Sequence, residues 1–129
     1  MDALDFETAK SNIERAIKVD RTNARALELR ALLFLEEGKP EQAQMYLKRA
    51  VEMEPDEGHS KYMYLGQLST GVAAANYYSR GIDILAGLTE ELREEGDMEG
   101  LYDAQQNISI AFTALAELYL TDLWCDELA

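Results

Sequence analysis

The sequence predicts an all-α chain built as an array of antiparallel helix pairs. Three observations carry that expectation. The chain repeats itself at an offset of 34 residues: "AKSNIERAIKVDR" (9–21) returns as "AQMYLKRAVEMEP" (43–55), so that Ala9 matches Ala43, Ile13 matches Leu47, Ala16 matches Ala50 and Val19 matches Met53. Apolar residues recur at three- and four-residue spacing over long stretches, whereas the alternation expected of strands is scarce. The composition is 47% apolar with 2 prolines in 129 residues, which is enough for a core and offers few helix breakers.

A self-similar unit of 34 residues is the signature of a tetratricopeptide repeat. In such a unit two helices pack antiparallel, small residues fall where helices cross closely, and a large apolar residue fills the space between them. The elements follow in order. A first helix is expected over 4–19, with Phe6, Ala9, Ile13, Ala16 and Ile17 on one face. "DRTN" (20–23) turns. A second helix runs to about Glu37, where Gly38 is placed to cap its end. Pro40 suits the first position of the third helix. That helix stops before Pro55, because Glu54 precedes a proline.

The next unit opens at "DEGHSKYMYLGQLSTG" (56–71), where Gly66 permits a close helix approach. Ala74, Tyr78 and Gly81 repeat the small–large–small spacing of Ala43, Leu47 and Ala50. Gly66 to Ala74 is 8 residues, whereas Ala31 to Ala43 is 12, so about one helical turn is missing and this unit is shortened. Its second helix is long, from Val72 to Glu95, with Gly96 as the stop. A last helix is expected over 99–123, with Ile108, Phe112, Leu115, Ala116 and Tyr119 as its apolar stripe. The expected organisation is therefore one repeat domain over 1–129. It comprises a second helix of a first repeat (1–22), a full repeat (23–57), a shortened repeat (58–96) and the first helix of a further repeat (97–129). Both ends look incomplete, because repeat arrays need polar caps and Trp124 and Leu128 have little to pack on. A fragment of a longer array, able to self-associate through its uncapped ends, is the expectation.

Charge narrows the function. The formal net charge is −13, and it is unevenly spread. Residues 1–61 hold 13 acids and 10 bases, whereas residues 62–129 hold 12 acids against Arg80 and Arg93 alone. Phosphate backbones need clustered Lys and Arg, so nucleic acid is not an expected partner. A basic partner would be attracted and its encounter accelerated. No stretch is long and apolar enough to span a bilayer; the best, "ISIAFTALAELYL" (108–120), has 13 residues and carries Glu117. The opening "MDALDFETAK" is acidic and lacks the apolar run of a signal peptide. A single cysteine, Cys125, excludes an internal disulfide framework, and a reducing compartment, cytosol or nucleus, is expected. The "NIS" at Asn107 matches a glycosylation sequon but sits in a predicted helix, and is read as chance.

No catalytic pattern emerges. His59 is the sole histidine, with no second zinc ligand, and reads as a turn residue. "GQLSTG" lacks the lysine of a phosphate loop. The acids Glu90, Glu91, Glu94 and Glu95 read as a solvated helix face. The chain is therefore expected to be a binding protein with no enzymatic activity, cofactor or metal. The first helices of successive repeats line the concave side of such an array. That register places Arg25, Glu28, Leu29, Leu32, Leu35 and Glu36 inward from one unit, Met63, Tyr64 and Gln67 from the next, and Ile110, Thr113, Glu117, Leu120 and Thr121 from the last. Acids mixed with apolar and aromatic residues suit an extended basic segment with apolar anchors.

Three stretches carry a narrower resemblance: "KYMYLGQLSTGVAAANYYSRGIDIL" (61–85), "EELREEGDMEG" (90–100) and "AFTALAELYLTDLWCDE" (111–127). They resemble the fungal assembly chaperones dedicated to ribosomal protein L-four of the large subunit. The resemblance implies a right-handed tetratricopeptide array, or α-solenoid, that captures the newly made ribosomal protein. It would hold the basic internal loop of that protein on a concave acidic face and escort it from cytoplasm to nucleus for ribosome assembly. The family positions fall on Glu28, Glu36, Tyr64, Gln67, Glu117 and Asp122, and Leu32, Leu35 and Thr113 complete the expected partner-binding set. Two alternatives stay open at this point. One is a tetratricopeptide co-chaperone or scaffold that holds a peptide of another protein. An acidic tail would need a clamp of Lys, Arg and Asn, and of these the face offers Arg25. The other is a self-associating helical module.

Overall fold

The computed structural model describes residues 3–123. Among them the secondary structure is helical throughout, in the order α1 (Ala3–Val19), α2 (Ala24–Glu36), α3 (Pro40–Met53), α4 (His59–Leu68), α5 (Gly71–Glu95) and α6 (Met98–Leu118), followed by a π-helical turn, Tyr119–Leu123. The chain divides into two compact units, Met1–Pro55 and Asp56–Ala129.

In the first unit α2 packs on α3 and α1 packs on α2. The stripe Phe6, Ala9, Ile13, Ala16 and Ile17 of α1 is half-buried, while Asp5, Glu7, Thr8, Ser11, Asn12, Glu14 and Arg15 are exposed. The helix boundaries are set by local chemistry. In the 20–23 turn the Thr22 N–H and hydroxyl both donate to Asp20 Oδ1, at 2.9 and 2.6 Å. Those bonds favour the charged carboxylate and lower the Asp20 pKa. Asn23 then caps α2, its Oδ1 accepting from the Ala26 N–H at 3.1 Å. Gly38 takes a positive φ of 73° beyond the end of α2, and Pro40 opens α3. The repeat positions Ala43, Leu47 and Ala50 are all 0% exposed. Ala24, Leu27 and Ala50 form one core cluster, with Ile17 of α1 and Tyr46 of α3 packed against it.

In the second unit α5 is the central element, packing on both α4 and α6. The one-turn deficit is real and can be located. α4 has 10 residues where α2 has 13, and the connection after it is two residues (69–70) where the earlier one is three (37–39). The shorter pair is accommodated at Gly66. A Cβ added there would stand 2.7 Å from Cζ of Tyr78, inside any normal contact. Ala74, Tyr78 and Gly81 are buried as the repeat spacing requires.

The last helix departs from expectation in two ways. It buries Leu101, Ala104 and Ala111, so its inward face is one of mostly small residues that lets α5 approach. Phe112 and Tyr119 of the expected stripe are 53% and 50% exposed. Its regular part ends at Leu118, and the π-helical turn takes residues 119–123. The Thr121 hydroxyl donates to the Glu117 carbonyl at 2.7 Å, competing for an acceptor of the helical ladder, which fits the local widening.

Candidate functional site

The best-formed concavity that gathers expected binding residues lies within the second unit, between α4 and α6, with Tyr78 of α5 as its floor. A cavity of about 230 Å³ is lined by Met63, Tyr64 and Gln67 from α4, Tyr78 from α5, and Asn107, Ile110 and Ala114 from α6. A second hollow along α6 shares Ile110 and Ala114 and adds Ser109, Thr113 and Glu117. The two adjoin at Ile110 and Ala114 and together are taken as the α4–α6 groove.

The sequence explains the shape. Three- and four-residue spacing places Tyr64 and Gln67 on one side of α4, and Ile110, Ala114 and Glu117 on one side of α6. The small side chain of Ala114 leaves the space that the groove occupies. Gly66 sets how closely Tyr78 approaches from below. The Tyr78 hydroxyl titrates above its ordinary value, first because burial disfavours the phenolate and second because the Glu117 carboxylate repels it. The floor is therefore a neutral phenol over the ordinary pH range. The Thr113 hydroxyl is held within its own helix, donating to the Ser109 carbonyl at 2.9 Å.

Five of the nine expected partner-binding residues belong to the second unit. Tyr64 and Gln67 fall in the cavity, and Thr113 and Glu117 in the adjoining hollow. The side chain of Asp122, together with Trp124 and Cys125, lies outside the described residues. The other four share one side of α2 in the first unit. Leu32 and Leu35 are half-buried and Glu36 is exposed. Glu28 is only 6% exposed and ion-paired with Arg25 at 3.5 Å, so it sits deeper than the accessible concave-face acid that the register predicts.

The acids are distributed differently from the expected face. Glu117 is the one carboxylate among the described groove residues. The acids Glu90, Glu91, Glu94, Glu95, Asp97 and Glu99 are exposed at the far end of α5 and the start of α6. A separate hollow of about 560 Å³ beside the start of α4 gathers Asp56, Glu57, Asp83 and Glu91, where Arg80 pairs with Asp56. Sequence reasoning missed the groove roles of Asn107, dismissed as a chance sequon, and of Tyr78, which the repeat offset marked as core alone. Among the described residues no group of three or more His, Cys, Asp or Glu is arranged to hold a metal ion, and no helix is long and apolar enough to cross a membrane.

The helix pairs, the 34-residue period and the groove between first helices define a tetratricopeptide-type protein, and residues 24–57 match the tetratricopeptide repeat family. The chain resembles the assembly chaperone of rpl4. It is 30% identical over 113 residues to the "Probable assembly chaperone of rpl4" of Schizosaccharomyces pombe, a match covering 84% of this chain and 32% of that protein. The chain thus spans about a third of the length of that curated relative. Among solved structures, the assembly chaperone of RpL4 (Acl4) matches with a TM-score of 0.85 at 24% identity, over 92% of this chain and 50% of that one. MamA matches with a TM-score of 0.53 at 21% identity, over 98% of this chain and 88% of that one. At those identities the two structures speak to the fold.

Proposed function

We propose that this chain is a non-catalytic, dedicated chaperone. It binds the basic internal loop of a newly made large-subunit ribosomal protein, the counterpart of rpl4, and escorts it between cytoplasm and nucleus. The observation that carries the reading is the α4–α6 groove: an apolar floor of Met63 and Tyr78, a half-buried Tyr64, an exposed Ile110 at the rim and a single carboxylate, Glu117. Such a groove takes an extended segment with an apolar anchor beside a basic side chain. The similarity to an assembly chaperone of rpl4 supports the choice of partner. A contact of the full repeat, 23–57, is proposed separately on α2, through the exposed Glu36 and the half-buried Leu32 and Leu35 beside the buried Glu28. The shortened repeat, 58–96, and α6, which opens the further repeat proposed over 97–129, supply the groove. Nucleic acid and membranes are not proposed as direct partners.

Acidity and contact play separate parts in this mechanism. Fourteen acids against three bases in residues 56–129 create a long-range field that accelerates a basic segment's arrival. The apolar groove then sets its residence time. Binding of the purified chain to the basic loop across a salt series tests both. Association should slow as the Debye length falls from about 10 Å at 0.1 M salt to about 3 Å at 1 M. Glu36→Lys with Glu117→Lys should slow association, and Tyr64→Ala should mainly hasten release. Absence of binding at low salt, or indifference to the double charge reversal, would sink the mechanism.

A second reading has its own observation. Phe112, Tyr119 and Leu120 of α6 and the π-helical turn are exposed apolar residues, a surface suited to self-association. Sedimentation of the chain over a concentration series distinguishes a monomeric chaperone from a self-associating module.

A further inference from the structure

The first unit contains a basic hollow that the chaperone reading does not use. Its volume is about 410 Å³, and its charged lining consists of Lys18 at the end of α1, Arg21 in the following turn, Arg30 on α2, Arg49 on α3 and a single acid, Glu14. Four of the chain's twelve Lys and Arg thus line one cavity, in a protein with a net charge of −13. A solvated helix face would intersperse acids among them.

The occupied and open cations are clearly divided. Arg30 is buried and structural: its Nη2 lies 3.4 Å from Glu14, its Nη1 lies 3.6 Å from Glu37, and its guanidinium stacks over Phe34 at 3.8 Å. Its Nη1 nonetheless makes no hydrogen bond. Glu14, the only acid in the lining, is engaged by Arg30. Among the described residues Lys18 and Arg21 make no ion pair, and Arg49 is engaged only with the face of Tyr46, 5.1 Å away. Three cations, from the end of α1, the turn after it and α3, therefore line one hollow whose single carboxylate is already paired with Arg30. Like charges gathered at one hollow repel one another, and a bound anion would relieve that repulsion.

We propose that this hollow is an anion site for a compact, doubly charged oxyanion of the phosphate class, either free or as the head of a phosphorylated side chain. The residues fit the chemistry. A tetrahedral group directs oxygens towards several donors at once, which suits a hollow lined by more than one cation. Guanidinium groups supply charge-assisted, two-pronged hydrogen bonds. The cavity also leaves room for water to complete the shell. An RNA backbone is disfavoured by the overall charge, which repels a polyanion beyond the one phosphate that the hollow admits.

The test titrates the full chain with inorganic phosphate and, separately, with a short neutral peptide carrying one phosphoserine. Lysine and arginine side-chain resonances are followed by NMR, with chloride and the unphosphorylated peptide as controls. Saturable shifts at Lys18, Arg21 and Arg49 are expected. Substituting Lys18→Gln, Arg21→Gln and Arg49→Gln together should weaken binding about tenfold or more, while Glu14→Gln should tighten it severalfold by removing the only acid. The single change Arg49→Gln, expected to weaken binding about threefold, serves if the triple variant is poorly folded. Saturation by the peptide alone assigns a phosphorylated partner, and saturation by both assigns the bare ion as sufficient. The proposal fails if neither saturates, if the substitutions leave the shifts unchanged, or if a short single-stranded RNA binds the same residues more tightly than either probe.

Discussion

The two units solve the same packing problem with different pairs of residues. In the full repeat the corresponding positions are Ala31 and Leu47, both fully buried. In the shortened unit they are Gly66 and Tyr78, whose ring stands 2.7 Å from where a Cβ would be. A larger partner on one helix is matched by a smaller residue on the other, so each crossing stays filled. The units also differ in charge. Residues 1–55 carry nine bases and eleven acids, whereas residues 56–129 carry three and fourteen. The difference shows that packing volume and surface charge vary independently in repeat units. The core fixes a crossing, and the outer positions are free to differ in charge from one unit to the other.

The largest expected effect is loss of a crossing residue. Leu47→Ala should cost about 2–5 kcal/mol, because the methyls lost are fully buried and the neighbours relax only partly. Urea denaturation measures it, and a cost below about 0.5 kcal/mol would mean that Leu47 is not a packing residue.

Overfilling a crossing should rank next, and it tests whether the two pairs are equivalent. Ala50→Leu and Gly66→Ala should each destabilise by about 1–3 kcal/mol. If Gly66→Ala melts like the parent chain, then Tyr78 yields without cost and the matching of small to large is illusory in the second unit. The double change Gly66→Ala with Tyr78→Leu, which writes the first unit's pair into the second, should recover part of the loss.

Helix caps come third. Asn23→Ala removes the bond to the Ala26 N–H in the first unit, and Asp97→Ala removes the 2.9 Å bond to the Gly100 N–H in the second. Each should cost about 1 kcal/mol, and equal losses in thermal melts would show that the units share their boundary chemistry.

The smallest effect is an alkaline one confined to the second unit. The Tyr78 pKa is raised in the folded chain, so folding holds its proton more tightly than the unfolded chain does. The stability gained is complete below the ordinary tyrosine value of 10.0 and is lost as pH rises through the raised one. Tyr78→Phe should therefore flatten the fall in stability above about pH 10. Glu117→Gln should lower the Tyr78 value without restoring it fully, since burial is the larger cause. Parallel pH slopes for the parent and Tyr78→Phe would refute the assignment.

Much of this protein was legible before folding. The 34-residue offset marked Ala43, Leu47 and Ala50 and the repeated small–large–small spacing marked Ala74, Tyr78 and Gly81, because a repeat must place equivalent residues at equivalent crossings, and all six are buried. Gly38, Pro40 and Gly96 determined boundaries through backbone preferences that act locally. The missing turn was countable in residues. Tertiary structure alone decided how much of the α6 stripe is buried: Leu101, Ala104 and Ala111 are covered, whereas Phe112 and Tyr119, which helical geometry puts on nearly the same side as Leu101, stay exposed. It also decided that Glu28 is buried, that the groove between α4 and α6 holds one carboxylate, and that four cations scattered over 32 residues of sequence, from Lys18 to Arg49, meet around one hollow. Periodicity reports the pattern along each helix, but burial and charge convergence depend on neighbours distant in sequence, and those are fixed only when the helices pack.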